Sequence, residues 1–177
     1  EQRSAAKAVN FGIIYGQTAF GLAASLKISR TDAAAIIDDY FRSHPGVGDC
    51  IDAILAETRK KKFVETLLGR RRFLPDIDSS DPTKRKFAER VAVNTRIQGT
   101  AADMIKIAMI NVARLMDQSG SQAKMLLQIH DELIFETPPD EAEPLRAAIR
   151  QKMESAMSLD VPLVVDSHVA VRWDELK

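Results

Sequence analysis

The sequence predicts an α+β fold, in which helices dominate the first part and an antiparallel hairpin lies in the second. Apolar residues recur at helical spacing through most of the chain as far as residue 116. Two short apolar runs, Met125–Leu127 and Leu133–Phe135, contain bulky residues and neither Gly nor Pro, which indicates a pair of strands. The 177 residues and 45% hydrophobic content suit one soluble globular domain with an ordinary core.

Composition excludes several classes of protein. No apolar run approaches the ~20 residues of a membrane helix, and no signal-peptide pattern is present, so we expect no membrane partner and a cytoplasmic setting. The single cysteine, Cys50, excludes an intramolecular disulfide and a Cys-rich metal site. Because the chain opens in the middle of a helical pattern and has no initiator Met, we expect a fragment of a longer protein.

The net charge is zero, but the charges are unevenly distributed. Residues 57–96 contain twelve Lys/Arg and six Asp/Glu, a net +6, whereas residues 131–177 contain five and eleven, a net −6. A basic zone and an acidic zone suit an anionic polymer bound beside a metal site. Ordinary solvated helices are the simpler interpretation of the charge alone.

The first predicted helix, residues 3–16, carries two cations and then two aromatic rings at four-residue intervals, so all four share one face. Such a face suits a triphosphate at one end and a stacked base at the other. A core helix with an aromatic stripe and two extended cations is the alternative. Gly12 and Gly16 weaken this helix and require a packing reason. The four residues are Arg3, Lys7, Phe11 and Tyr15.

Further elements follow from turn and capping signals. Ser29, with Asp32 three residues later, predicts a capping-box-like helix start. A helix from Thr83 is expected to place Phe87 inward and to be interrupted at Gly99. The predicted elements are helices at 17–28, 30–43, 47–62, 100–116 (buried) and 138–157, a small basic hairpin at 63–75, and a final strand at 163–171.

Three chemically active side chains, His130, Asp131 and Glu132, lie between the two apolar strands. Adjacent carboxylates repel, and partial burial increases that cost unless a cation compensates them. Mg²⁺ or Mn²⁺ suits hard carboxylate oxygens. A solvated hairpin tip without function is the alternative.

Several segments resemble motifs of family A DNA polymerases, the bacterial DNA polymerase I type. Residues 3–16 are similar to the fingers helix of that family, and residues 128–132 to its second catalytic palm motif. Residues 90–94 and 98–103 resemble its palm helix beside the primer–template. Residues 66–72, Val161-Pro162-Leu163 and Trp173-Asp174 also fit, so the resemblance covers essentially the whole chain.

The resemblance implies a fingers portion with a small basic hairpin at 1–82 and a palm portion at 83–177. It implies DNA-templated DNA synthesis, with primer–template DNA and dNTPs as partners, Mg²⁺ or Mn²⁺ as cofactor, and a bacterial, nucleoid-associated location. For the incoming nucleotide, it implies that Arg3 and Lys7 bind phosphates, that Lys7 is also a proton donor, that Phe11 packs on base and sugar, and that Tyr15 sits at the templating position. For the primer–template, it implies that Arg90, Asn94 and Gln98 donate to the minor groove and that His130 lies near the primer end. It also implies that Asp131 binds metal, with Glu132 nearby.

Two departures from the family pattern matter. Arg96 stands where many relatives have Pro, so residues 94–98 are expected to form a smoother helix with one extra positive charge. The second carboxylate that a two-metal mechanism needs is supplied in the family by an upstream strand resembling Asp-Tyr-Ser. Asp39-Tyr40 does not match it, because Phe41-Arg42 follows within a helix.

We therefore expect the chain to need the upstream palm and thumb for activity. A non-catalytic nucleic-acid-binding fragment, a single-subunit RNA polymerase relative and a metal-dependent hydrolase remain as alternatives.

Overall fold

The computed structural model describes residues 2–176, with every side chain in that range except those of Gln2, Ser4 and Ala5. The predicted α+β class is confirmed: these residues form six α-helices and two antiparallel hairpins. The chain divides into two compact units, Glu1–Thr100 and Ala101–Lys177. The fingers–palm boundary after residue 82 stays a prediction, because compactness does not define a functional subdomain. None of the helices described is both long and apolar enough to cross a membrane.

Four helices open the first unit, and their ends follow local signals. Ser29 begins the third helix: its Oγ accepts a hydrogen bond from the Asp32 N–H at 3.0 Å, and its hydroxyl donates to the Asp32 carboxylate at 2.7 Å. Pro45 occupies the first turn of the fourth helix, where its missing N–H costs nothing. The helices are α1 (Gln2–Ile14), α2 (Ala19–Leu26), α3 (Arg30–Ser43) and α4 (Pro45–Lys61).

A small hairpin follows α4. Its strands are β1 (Phe63–Glu65) and β2 (Arg71–Phe73), which pair antiparallel with Phe63 opposite Phe73. Gly69 adopts φ 81° in the turn, a conformation that glycine accepts without steric cost. A short 3₁₀ helix, Pro75–Asp78, leads away from β2. The hairpin and its neighbouring helices enclose a core of Ile54, Val64, Leu74, Ile77, Ala88, Ala92 and Val93.

The helix α5 (Pro82–Ser119) runs without interruption for 38 residues, so the predicted break at Gly99 is wrong. The glycine serves close packing instead of helix termination. A β-carbon at residue 99 would lie 2.8 Å from Cγ2 of Thr66, which is closer than two non-bonded carbon atoms normally approach. A single glycine weakens a helix by only ~1 kcal/mol, which surrounding packing can offset.

The inward face of α5 also differs from the prediction. Phe87 is 60% exposed, whereas Ala88 and Ala92 are buried beside Val93. Small alanine side chains let the backbone of α5 approach the core closely, and this leaves the larger ring outside. Tertiary packing, which the hydrophobic pattern of one helix does not contain, therefore selected the buried face.

The second unit is built on the last part of α5, a hairpin and one further helix. Strands β3 (Lys124–Ile129) and β4 (Glu132–Glu136) pair antiparallel, and a bulge at Leu126 shifts their register. Helix α6 (Ala142–Glu154) completes the unit. Its core consists of Val112, Met116, Ala123, Leu145 and Ile149, with Met125 and Phe135 packed against it.

Two expectations for the second unit are corrected. The segment 100–116 was expected to be buried, yet only one stripe of it is covered by the described residues, and Ile110 is 50% exposed. The predicted final strand at 163–171 does not form, because no neighbouring strand in residues 2–176 pairs with it. The Val165 N–H instead donates to the Glu154 carboxylate at 3.1 Å. Alternating hydrophobicity indicates an extended backbone but cannot supply a hydrogen-bonding partner.

Candidate active site

The face of α1 brings together three of the predicted nucleotide-binding side chains. Lys7 Nζ lies 5.8 Å from the ring centroid of Phe11. The Phe11 ring stacks on Tyr15 with centroids 6.2 Å apart and an interplanar angle of 16°. Arg3 and Lys7 are exposed, and Phe11 is 50% exposed. An exposed cation above a stacked pair of rings, of which Phe11 is exposed and Tyr15 is partly buried, is arranged to bind a ligand with one anionic end and one planar end.

A cleft of about 510 Å³ opens beside these rings in the first unit. Gly16 adopts φ 76°, and a β-carbon there would lie 3.0 Å from Arg90 Cγ. This close contact explains why residue 16 is a glycine. It places Cγ of the Arg90 side chain against the end of α1. The cleft is lined by Phe11, Gly12, Tyr15, Gly16, Gln17, Thr18, Gly21 and Arg90.

Gln17 is a cleft residue that the sequence interpretation missed. Its side chain occupies the space beside Gly12, where a β-carbon would lie 1.9 Å from Gln17 Oε1. The same side chain packs against Gly21, and its Nε2 donates to Ser25 Oγ at 3.0 Å. The sequence did contain a signal for Gln17: this long polar residue lies between two glycines, Gly12 and Gly21, that belong to neighbouring helices.

The predicted minor-groove donors lie along one face of α5. Arg90 and Gln98 are exposed, and Asn94 is half-buried. The Arg90 guanidinium carbon lies 5.9 Å from the ring centroid of Phe87. Within the described residues, Asn94 Oδ1 is buried and accepts no hydrogen bond. Because Arg90 also lines the cleft beside Phe11, the first unit joins the predicted nucleotide-binding face of α1 to the predicted donor face of α5.

The tip of the β3–β4 hairpin carries His130, Asp131 and Glu132, all exposed. His130 adopts φ 54°, which residues other than glycine seldom accept, and its carbonyl oxygen accepts a hydrogen bond from Gln128 Nε2 at 3.0 Å. Within this chain both carboxylates are exposed, so burial supplies no argument for a cation at the tip. The predicted metal at Asp131 stays a prediction.

Asp131 fits a divalent metal in donor chemistry but supplies only part of a coordination shell. Its exposed carboxylate offers the hard oxygen ligands that Mg²⁺ and Mn²⁺ prefer. Across residues 2–176, no three His, Cys, Asp or Glu side chains are grouped as a metal centre requires. Any metal bound here must therefore draw further ligands from other molecules or from residues outside this chain.

The sequence profile of DNA polymerase family A matches residues 1–175, nearly the full length. The chain belongs to DNA polymerase family A. This membership sets aside the single-subunit RNA polymerase and the metal-dependent hydrolase as interpretations of the same motifs. A metal-dependent hydrolase would also need a fuller ligand set than the described residues group together.

Known family A polymerases resemble this chain closely. DNA polymerase I of Streptococcus pneumoniae serotype 4 is 48% identical over 175 residues, and that of Geobacillus stearothermophilus is 50% identical over the same length. Each match covers 99% of this chain and 20% of the relative. The chain therefore spans about a fifth of the length of these curated relatives.

A solved structure agrees with the fold. It is the POL domain of Pol1 from M. smegmatis in complex with DNA primer-template and dNTP. The chains are 45% identical with a TM-score of 0.88, and the match covers 91% of this chain and 28% of that one.

Proposed function

We propose that this chain forms the fingers and the later palm of a DNA-directed DNA polymerase. The reaction is nucleotidyl transfer from a dNTP to the 3′-OH of a primer. The single observation that carries the proposal is the face of α1, where Lys7, Phe11 and Tyr15 contact one another in order beside a cleft bordered by Arg90. A non-catalytic nucleic-acid-binding fragment would need no cation placed above the stacked rings.

The α1 face binds the incoming nucleotide. Arg3 and Lys7 hold the triphosphate and offset the charge that develops on the leaving pyrophosphate. Lys7 Nζ also donates a proton to that pyrophosphate. Phe11 packs against the base and sugar of the nucleotide, and Tyr15 occupies the templating position and helps to gate closure.

The α5 face binds the primer–template in its minor groove. Arg90, Asn94 and Gln98 donate to purine N3 and pyrimidine O2, which accept at every correct base pair. These donors therefore test the geometry of a pair without reading its sequence. His130 lies near the primer end.

Asp131 holds a divalent metal, Mg²⁺ or Mn²⁺, with Glu132 beside it. When bound, such metals offset phosphate charge and lower the pKa of the attacking hydroxyl. Asp131 would hold such an ion, and its other ligands would have to come from outside the described residues of this chain. The complete enzyme, including the thumb, works on nucleoid DNA in the bacterial cytoplasm.

Single-turnover kinetics of the full-length polymerase that contains this chain test the proposal. Lys7→Ala is expected to lower nucleotide affinity and the chemical rate, the latter by about 10²-fold, the lower end for a lost general acid. Arg3→Ala is expected to act mainly on affinity. Lys106→Ala, which removes an exposed cation from another part of the chain, serves as the control.

Wild-type kinetics in both the Lys7 and Arg3 variants would assign these cations to the fold. Asp131→Asn addresses the non-catalytic alternative, because it retains the size of the side chain and removes its charge. We expect primer–template binding to persist while extension is lost. Undiminished extension by this variant would contradict a catalytic role for the hairpin tip.

A further inference from the structure

The β1–β2 hairpin is bound to one short stretch of α5, residues 95–100, by more than apolar packing. Each contact joins a hairpin residue to a residue on the same side of the helix. The hydrogen bonds run from Arg96 Nη1 to the Glu65 carbonyl oxygen (2.8 Å), from the Leu67 N–H to Thr100 Oγ1 (3.0 Å), from Arg70 Nη2 to the Gly99 carbonyl oxygen (2.8 Å), and from Arg72 Nη1 to Thr95 Oγ1 (3.4 Å).

Tight packing reinforces these hydrogen bonds. Thr66 is 2% exposed and Thr100 is 6% exposed. The methyl group of Thr66 fills the position that a side chain at residue 99 would occupy, since a β-carbon built there comes within 2.8 Å. Thr66 Oγ1 also accepts a hydrogen bond from the Arg70 N–H at 3.1 Å, which fixes its rotamer.

The hairpin lies on the side of α5 opposite to the donor face. At about 100° per residue, Arg90 and Gln98 fall roughly 40° on either side of Asn94. The residues that contact the hairpin centre about 170° away from Asn94 on the same helical wheel. The hairpin therefore packs against the side of α5 opposite Asn94, and it does not itself cover the donor face.

We propose that the hairpin, anchored through Arg96 and Gly99, is a positioning element that fixes the rotation and bend of α5 and so the aim of Asn94 and Gln98. The inference rests on the proposed minor-groove role of those residues. A test of base-pair geometry requires donors held within a fraction of an ångström, since a 1 Å displacement can cost about 10²-fold in rate. Arg96 supplies the support through its bond to the Glu65 carbonyl of β1.

A pair of variants in the full-length polymerase tests the packing contact. Gly99→Ala adds a methyl group against Thr66 and improves helix propensity, so any loss of function cannot come from a weaker helix. We expect the ratio of kcat/KM for matched over mismatched primer ends to fall about tenfold, within the range for such displacements. Adding Thr66→Ser removes the opposing methyl group, keeps the Oγ acceptor and should restore the ratio.

Arg96→Ala tests the anchoring bond, and the same helix offers a matched control. Arg85 Nη1 also donates from α5 to a backbone carbonyl, that of Ser79, at 2.8 Å, and both contacts are partly buried. We expect both alanine variants to lower the melting temperature, but only Arg96→Ala to lower the matched-over-mismatched ratio. Arg96→Lys, which retains charge and a donor, should recover part of it.

Gln98→Ala separates the two proposals. If it lowers the matched-over-mismatched ratio while Gly99→Ala and Arg96→Ala leave the ratio at its wild-type value, the positioning role is refuted and the minor-groove role stands. If Gln98→Ala itself leaves the ratio unchanged, the minor-groove role is refuted and the positioning role falls with it.

Discussion

Replacing Phe11 by tyrosine tests the proposal that the sugar of the incoming nucleotide lies against this ring. The ring is 50% exposed, stacks on Tyr15 and lies beneath Lys7 Nζ. A hydroxyl added to a half-exposed ring can remain hydrated, so the penalty for burying an unpaired polar group does not arise. We therefore expect Phe11→Tyr to fold normally in the full-length polymerase.

The size of the expected effect follows from one hydrogen bond. Phenylalanine cannot replace the interaction that the 3′-OH of the substrate supplies, so a sugar lacking that hydroxyl fits the transition state less well. A tyrosine hydroxyl would lie about where the missing group was, within reach of the triphosphate. A hydrogen bond to a charged group contributes about 1.5–3 kcal/mol. At about 1.36 kcal/mol per factor of ten, the use of dideoxynucleotides should improve about 10- to 150-fold.

Competition between deoxy and dideoxy substrates on one primer measures the selection ratio directly. Ordinary synthesis with deoxynucleotides should change little. Phe20→Tyr is the matched control, because Phe20 is 73% exposed on α2 and does not line the cleft. An unchanged ratio in Phe11→Tyr, accompanied by a lower melting temperature, would refute the reasoning and assign Phe11 to a packing role.

Two further predictions concern the fold and the missing carboxylate. Gly16→Ala should destabilise the first unit by about 1–2 kcal/mol, because φ 76° is costly for alanine and the new methyl group would press on Arg90. Gly46→Ala, with nothing within 4 Å of its built β-carbon, should be neutral or stabilising, and equal melting temperatures of the two variants would contradict this account. The isolated 177-residue chain should not extend a primer with Mg²⁺ or Mn²⁺, because Asp131 alone cannot hold two ions for an in-line displacement; template-dependent incorporation would show otherwise.

Local signals in the sequence were sufficient for much of the fold and for one face of the site. The four-residue spacing of Lys7, Phe11 and Tyr15 fixes their common face whatever the rest of the protein does. The start of α3 at Ser29 and the hairpin around His130 and Asp131 likewise depend on neighbouring residues alone. Such features are predictable because the interactions that form them lie within a few residues of chain.

The errors came from contacts between distant segments. Gly99 looked like a helix end, but its purpose is set by Thr66, a residue 33 positions away in the printed sequence. Phe87 was placed inside because the pattern of one helix cannot show that alanines give a closer fit to the core. The strand at 163–171 failed because strand formation needs a partner that these residues do not find.

The positive charge of residues 57–96 shows why total charge is a poor guide to the proposed nucleic-acid interface. Much of it is engaged inside the first unit: Arg59 with Glu89 at 2.6 Å, Lys62 with Asp78, and Arg71 with Glu65 at 2.8 Å. The hydrogen bond from Arg71 lowers the pKa of Glu65, which keeps that carboxylate charged and paired across the two strands of the hairpin. Internal ion pairs therefore account for part of the basic segment, in line with the simpler interpretation of its charge.

The cations proposed to meet the substrate are few and are distinguished by their surroundings. Lys7 lies over Phe11, a ring that lines the cleft, and Arg90 borders the same cleft. The proposed recognition accordingly depends on where a small number of charges and donors are held: α1 carries Lys7, and α5 with its supporting hairpin carries Arg90, Asn94 and Gln98.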